Sequence, residues 1–204
     1  MRRGGWLVAI LVSVVLLSHP ASAATASPSE TLQRHVTAVL ALLRDPVLAR
    51  PEAALQRRLA VRQVVDGVID FPAMAKQALG RHWSGRTAEE RAEFVRVFSD
   101  LLETIYVSEI ERNSEQVVSY VNESVKGADA MVETRVRGKS ETRIDYRMHV
   151  RSDQWRVYDV EIGGLSIVEN FRSQLHRMLR DHSYATLIEK LREAAGGQAA
   201  ARPM

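Results

Sequence analysis

The spacing of apolar residues changes once along this chain, and the change restricts the fold to the α+β class. In residues 94–105 the apolar side chains recur every three or four positions, which is the period of an amphipathic helix. In residues 144–150 they alternate with polar side chains, which is the period of a strand with one buried face. The switch falls at residues 113–114, so the sequence predicts a helical half followed by an antiparallel sheet.

Start and stop residues divide the first half into four predicted helices. Pro28 and Pro51 lie at the start of the first two, where proline is tolerated because those N–H groups have no helical partner. Asp70 is the expected N-cap of the third helix, and Gly80 is its expected end. The fourth and longest helix begins at a T-x-x-E capping box in residues 87–90.

Three alternating runs, and a fourth that is apolar on both faces in its second half, predict a four-stranded antiparallel sheet with one apolar and one polar face. Short polar turns join the runs, which cover residues 117–121, 132–137, 143–150 and 155–162. After Gly163-Gly164, Ser166 and Glu169 form a second capping box, which predicts a helix that lies back across the sheet. A last helix is predicted to end at Gly196-Gly197, and residues 196–204 are predicted to be a flexible tail.

The first 23 residues have the layout of a secretory signal peptide. Arg2 and Arg3 precede an apolar run at residues 6–17, and Ala21-Ser22-Ala23 supplies a cleavage site. The run falls short of the ~20 residues that span a bilayer, which argues against an uncleaved membrane anchor. The sequence therefore predicts export to the periplasm of a single domain that covers residues 24–195.

Charge and cysteine content exclude several classes of protein. Removal of residues 1–23 takes away two of the 28 basic residues, which leaves 26 against 25 acidic residues and lowers the formal net charge from +3 to +1. These charges are interspersed rather than clustered, which excludes a nucleic-acid binder. The chain has no cysteine, so its core must hold the fold without disulfides, and acylation on a cysteine is excluded.

The sequence predicts neither an enzyme nor a metal or cofactor site. It lacks the P-loop, G-x-G-x-x-G, H-E-x-x-H and G-x-S-x-G motifs. None of the five histidines outside the predicted signal peptide has another His, Asp or Glu at the spacing of metal ligands on a recognisable helix or strand. They are His35, His82, His149, His176 and His182. His149 lies on the polar face of its strand, so it is expected to be merely solvated. Asp70 is interpreted as a helix cap, and Asp159 as a buried or semi-buried polar partner. The apolar sheet face fits a closed core as well as a cavity, and periodicity does not separate the two.

Three segments, in order, carry a resemblance to a known family. They are DFPAMAKQALGRHW (residues 70–83), RTAEERAEFVRVFSDLLETIY (86–106) and WRVYDVEIGGLSIVENFRSQL (155–175). These segments closely resemble the MlaC or toluene-tolerance auxiliary family, the periplasmic component of the Mla phospholipid-transport system. The likeness covers residues 32–192, nearly the whole predicted domain. Gly163-Gly164 departs from the family pattern, in which a charged residue often precedes the second glycine.

The resemblance implies a monomeric carrier that holds a glycerophospholipid with its acyl chains between the sheet and the helices. It also implies two partners, an inner-membrane ABC transporter and an outer-membrane lipoprotein complex, between which phospholipid would be shuttled to maintain outer-membrane asymmetry. A hopanoid-associated branch of the family has similar segments, so a hopanoid-type lipid is an alternative cargo. Releasing a two-chain lipid with about 30 methylenes into water would cost about 20 kcal/mol, so such a carrier needs a dry cavity.

We therefore expect the apolar sheet face and the adjacent helices to line a lipid cavity. The expected wall residues are Phe71, Met74, Leu79, Phe98, Leu102, Tyr106, Val118, Tyr120, Val132, Val136, Ile144, Tyr146, Met148, Trp155, Val157, Val168, Phe171 and Leu175. A less favoured alternative is a small-molecule enzyme with a ketosteroid-isomerase-like pocket, which needs Asp159 or His149 as a base inside it. A second alternative is an adaptor that binds only proteins, which requires a filled core.

Overall fold

Six α-helices and five strands make up the part of the chain that this computed structural model describes, residues 26–112, 115–138 and 140–200. The helices are α1 (Pro28–Arg44), α2 (Ala54–Asp66), α3 (Phe71–Leu79), α4 (Ala88–Arg112), α5 (Ile167–Asp181) and α6 (Tyr184–Ala200). The strands are β1 (Val117–Lys126), β2 (Asp129–Arg137), β3 (Glu141–Arg151), β4 (Gln154–Ile162) and β5 (Leu165–Ser166). The predicted signal peptide and the switch at residues 113–114 lie outside the described residues.

The sheet is an antiparallel meander in the order β1-β2-β3-β4-β5, so the prediction of four strands is one strand short. Gly163 and Gly164 have φ angles of 59° and 83°, both in the left-handed region that glycine adopts without strain. A two-residue hairpin loop favours this conformation at both positions, so the chain reverses at once and Leu165 pairs with Ile162. The α+β class and the four long strands are as predicted, and β5 is added by this hairpin.

The predicted helix starts at Pro28, Asp70 and Thr87 are confirmed. Pro51 instead opens a short 3₁₀ helix, and α2 begins at Ala54.

The start at Ser166 is confirmed, but its cap is made differently. Thr87 and Glu90 exchange both hydrogen bonds of a capping box, at 2.9 and 3.2 Å. Ser166 accepts from the Glu169 N–H at 3.0 Å, but its hydroxyl donates to Asp159 at 2.6 Å. The Glu169 carboxylate pairs with Arg172 at 2.7 Å, so the expected box at α5 is replaced by a link to β4.

The predicted end of the last helix is wrong, because α6 continues past Gly196 to Ala200. A glycine inside a helix costs only about 1 kcal/mol relative to alanine, which does not by itself end the helix.

The buried apolar side chains form two clusters. The larger lies among α3, α4, α5 and α6, where the Phe94 and Phe98 rings stack at 5.5 Å and Phe171 meets Phe98 edge-on at 5.2 Å. The smaller lies on the sheet, where Val132 and Met148 pack with Leu32 of α1. The C-terminal helices therefore share most of their core with α3 and α4 rather than with the sheet.

A bulge in β1 anchors α1 on the sheet. The β1–β2 pairing shifts between Tyr120 and Asn122, and beyond the shift Glu123 lies opposite the buried Val132. Directly paired side chains lie on the same face, so Glu123 is turned to the inner face of the sheet. Its carboxylate accepts a 2.7 Å hydrogen bond from the backbone N–H of Ser29 at the start of α1.

Candidate functional site

An apolar pocket of about 320 Å³ lies between α1, α2 and α4 on one side and the inner face of the sheet on the other. This volume is within the range of pockets that bind small molecules. Phe71 and Met74 of α3 and Ile167 at the start of α5 close one end. Burial raises the pKa of Tyr106 and Tyr146, two of the lining residues, so both phenols stay uncharged at neutral pH.

Eight of the eighteen expected wall residues line this pocket, on its sheet side and on part of its helical side. They are Phe71, Met74, Leu102, Tyr106, Val118, Val136, Ile144 and Tyr146. The inner sheet face also contributes Val160 and Ile162, which the expected set leaves out.

The other ten expected wall residues lie elsewhere. Five of them belong to the helical core: Leu79, Phe98, Val168, Phe171 and Leu175. The remaining five lie in or against the smaller core on the sheet: Tyr120, Val132, Met148, Trp155 and Val157. Leu32 and Val68 cover this end of the inner face, so alternation identifies the right face but not the stretch of each strand that borders the pocket.

The first two helices supply a wall that was not assigned from sequence. Leu32, Val36 and Leu40 of α1 line the pocket, and so does Val65 of α2. Leu32, Val36 and Leu40 are spaced four residues apart, which indicates an apolar stripe along α1. Nothing in that spacing shows which other element the stripe faces.

Opposite charges join α2 to α4 at the pocket, and we call this group the α2–α4 clasp. Arg62 Nη1 lies 2.8 Å from Asp100 Oδ1 and 2.9 Å from Glu103 Oε2, and Arg58 Nε lies 2.8 Å from Glu103 Oε1. The hydrogen bond to Asp100 raises the pKa of Arg62, and the charge of Glu103 adds to the effect against the opposing desolvation. Within α2, which is described throughout, Val61 is the single buried residue, so the ion pairs add to a small buried apolar contact.

Asp70 fixes the start of α3 next to the pocket. Its carboxylate accepts from the Ala73 N–H at 3.0 Å, which confirms the predicted cap, and it also bonds His149 Nε2 at 2.9 Å and Arg151 Nη1 at 2.5 Å. The expectation that His149 is merely solvated is wrong, because the Asp70 carboxylate reaches it. Burial alone would raise the pKa of Asp70, but the bonds from Arg151, Ala73 and His149 outweigh burial and hold it below its ordinary value.

Asp159 ties the β4–β5 hairpin to α5. It is buried, and it accepts from the Val168 N–H at 3.1 Å and from the Ser166 hydroxyl at 2.6 Å. This confirms its interpretation as a buried polar partner. Neither Asp159 nor His149 lines the pocket.

His82 and His176 lie in contact, which the sequence did not predict. His82 Nε2 lies 3.1 Å from His176 Nδ1, and Arg81 donates to the His176 ring. Ninety-four residues separate the two, so no local spacing could indicate the contact.

In the described part of the chain no three His, Cys, Asp or Glu side chains are placed to hold a metal ion. Among the same residues, every helix is too short or too polar to span a membrane.

Comparisons with known proteins agree on one family. The family model described as MlaC protein matches residues 33–193. The chain is 23% identical over 145 residues to the intermembrane phospholipid transport system binding protein MlaC of Haemophilus influenzae, with 68% of each covered. It also resembles a phospholipid-binding protein from Ralstonia solanacearum that was solved in complex with a phospholipid. That match has 27% identity and a TM-score of 0.77, and it covers 85% of this chain and 99% of the other.

Proposed function

Because the chain belongs to the MlaC protein family, we propose that it binds phospholipid and carries it between membranes, with the acyl chains in the apolar pocket. The observation that carries the proposal is the apolar pocket itself. The fold that contains it resembles that of the Ralstonia solanacearum protein, which was solved with a bound phospholipid. Twenty of its 26 lining residues are aliphatic or aromatic, and the others are His35, Arg62, Asp66, Ser99, Glu103 and Gln116. Apolar walls suit acyl chains, because an unpaired buried polar group would cost about 1–3 kcal/mol.

We further propose the route that the family membership suggests. The carrier would be a monomer exported to the periplasm by residues 1–23, and it would pass lipid between an outer-membrane lipoprotein complex and an inner-membrane ABC transporter. Any energy input would come from the transporter, since the chain has no nucleotide-binding motif. An enzymatic role is not favoured, because Asp159 and His149 are bonded to other protein groups outside the pocket.

Native mass spectrometry of the purified chain tests lipid binding directly. We expect a mass increment that matches phospholipid and that disappears after extraction with organic solvent. Lipid analysis of the extract identifies the class, so a hopanoid cargo would appear as a sterol-like rather than a glycerophospholipid species. Protein that is lipid-free and takes up no phospholipid from vesicles would contradict the proposal.

Weakening the α2–α4 clasp is expected to speed lipid release. Arg62→Gln removes two ion pairs to α4, and exposed pairs contribute about 0.2–1 kcal/mol each, so release to acceptor vesicles should become about 2–30 times faster. Transfer of a fluorescent phospholipid measures the rate. Arg192→Gln is the matched control, since it removes an arginine that pairs with Glu93 and does not line the pocket.

Salt gives a second measure of the same clasp. Release from the unmodified chain should accelerate as salt screens the pairs, and Arg62→Gln should reduce that dependence. Equal rates and equal salt dependence in Arg62→Gln and the unmodified chain would exclude a role for the clasp in release.

A further inference from the structure

A polar cleft lies on the face of α3 that points away from the apolar pocket. Ala73, Lys76 and Gln77 of α3 line it, together with Trp83 and with Arg172 of α5. The pocket instead borders on Phe71 and Met74, so α3 separates the two. An occupant of the cleft would therefore contact the helix whose opposite face lines the pocket.

The cleft and its surroundings carry an excess of positive charge. Residues 76–91 and 169–180 hold seven basic and three acidic side chains, whereas residues 26–200 hold 25 of each. Arg172 pairs with Glu169, at 2.7 Å. Lys76 and Arg81 have no carboxylate within 4.0 Å among the described residues. Lys76 lines the cleft, and Arg81 follows the lining residue Gly80 in sequence. Both are cations that the fold itself does not neutralise.

His82 lies in contact with His176 next to the cleft, at 3.1 Å between ring nitrogens. Burial lowers the pKa of His82, and the positive charges of Arg81, His176 and Arg86 lower it further. Arg86 itself pairs with Glu90 of α4. A bound anion would oppose these charges and raise the pKa of His82.

The chemistry of the cleft fits a peptide better than a lipid surface. Trp83 offers an aromatic wall, and the Arg91 guanidinium lies 5.5 Å from its ring centre. Aromatic residues and arginine are enriched in protein interfaces. Among the described residues, none of the large exposed apolar side chains lies in residues 73–91 or 169–180. An amphipathic face that inserts into a membrane carries such side chains.

We propose that this cleft docks an acidic segment of a partner protein, with its carboxylates on Lys76 and Arg81 and an apolar side chain against Trp83. Carboxylates on ammonium and guanidinium groups form charge-assisted hydrogen bonds, which are roughly twice as strong as neutral ones. The inference does not depend on what the apolar pocket holds.

Fluorescence anisotropy with a labelled ten-residue peptide, rich in Glu and Asp and containing one Phe, tests the proposal. We expect saturable binding that weakens with salt and that falls at least tenfold in Lys76→Glu and in Arg81→Glu. Lys190→Glu makes the same type of charge change on the exposed face of α6 and should stay within twofold of the unmodified chain. Lys76 and Arg81 are both exposed, so thermal melts should show that the variants remain folded.

Three further measurements decide between sources of the anion. The peptide should raise the pKa of His82 in a ring-proton NMR titration, and vesicles of phosphatidylglycerol or inorganic phosphate should not displace it. Displacement by vesicles or by phosphate at matched charge would overturn the proposal in favour of a lipid or free-anion site. Absence of saturable peptide binding, or equal loss in Lys190→Glu, would also overturn it.

Discussion

Replacement of Val118 by glutamate is expected to abolish retention of phospholipid, while the same replacement at the neighbouring Val117 leaves it intact. Val118 lines the pocket, and Val117 is 63% exposed on the other face of β1. A carboxylate among acyl chains either loses its hydration or brings water into the pocket, and either outcome costs several kcal/mol. We therefore expect at least a tenfold fall in bound lipid per protein, measured by native mass spectrometry and by extracted phosphorus.

The paired valines separate a binding effect from a folding effect. Both valines lie on β1 at the edge of the sheet. Glutamate has a lower β-propensity than valine, and this effect is the same in both variants. Circular dichroism melts check that both remain folded. If Val118→Glu keeps its lipid, the pocket is not the binding site; if both variants lose it equally, the effect comes from β1 as a whole.

The division of the inner sheet face explains why the residues expected from sequence coincide only in part with the residues that line the pocket. Val132 and Val136 lie on the same face of β2, and alternation treats them alike. Val136 borders the pocket, but Val132 is covered by the cluster that includes Leu32 and Val68. This difference comes from α1 and the α2–α3 connection, which lie far away in sequence, so no local pattern can contain it.

Local signals predicted the fold better than the site because helix caps and strand alternation are local. Asp70 and Thr87 were identifiable as caps from a few neighbouring residues. The fifth strand needed knowledge of the φ angles at Gly163 and Gly164, since two glycines are equally compatible with an open corner and with a tight hairpin. The α2–α4 clasp joins Arg62 to Asp100. From sequence, each is only one of several charged residues on a predicted helix, and nothing local shows that the two are paired.

Removal of the Asp70 carboxylate is expected to destabilise the chain more than any surface change considered above. Asp70 is 3% exposed, and its carboxylate bonds Ala73, His149 and Arg151. Its own backbone N–H donates to the Val157 carbonyl of β4 at 2.8 Å. Asp70→Asn keeps the size of the side chain but removes its charge, so Arg151 and His149 lose their anionic partner. Because both partners are partly exposed, we expect a loss of about 2–4 kcal/mol in the free energy of unfolding at neutral pH.

The pH dependence of that loss identifies its origin. The pKa of Asp70 is lowered in the folded state, so the ionised carboxylate stabilises the fold above its unfolded-state pKa, and this contribution disappears as pH falls through the folded pKa. Urea unfolding at about pH 7 and about pH 3 should show a smaller difference between Asp70→Asn and the unmodified chain at the lower pH. Asp153→Asn is the matched control, because Asp153 is exposed at a φ of 57° that asparagine also tolerates. A penalty for Asp70→Asn that stays constant with pH would show that lost packing or the lost cap, rather than the charge, connects α3 to the sheet.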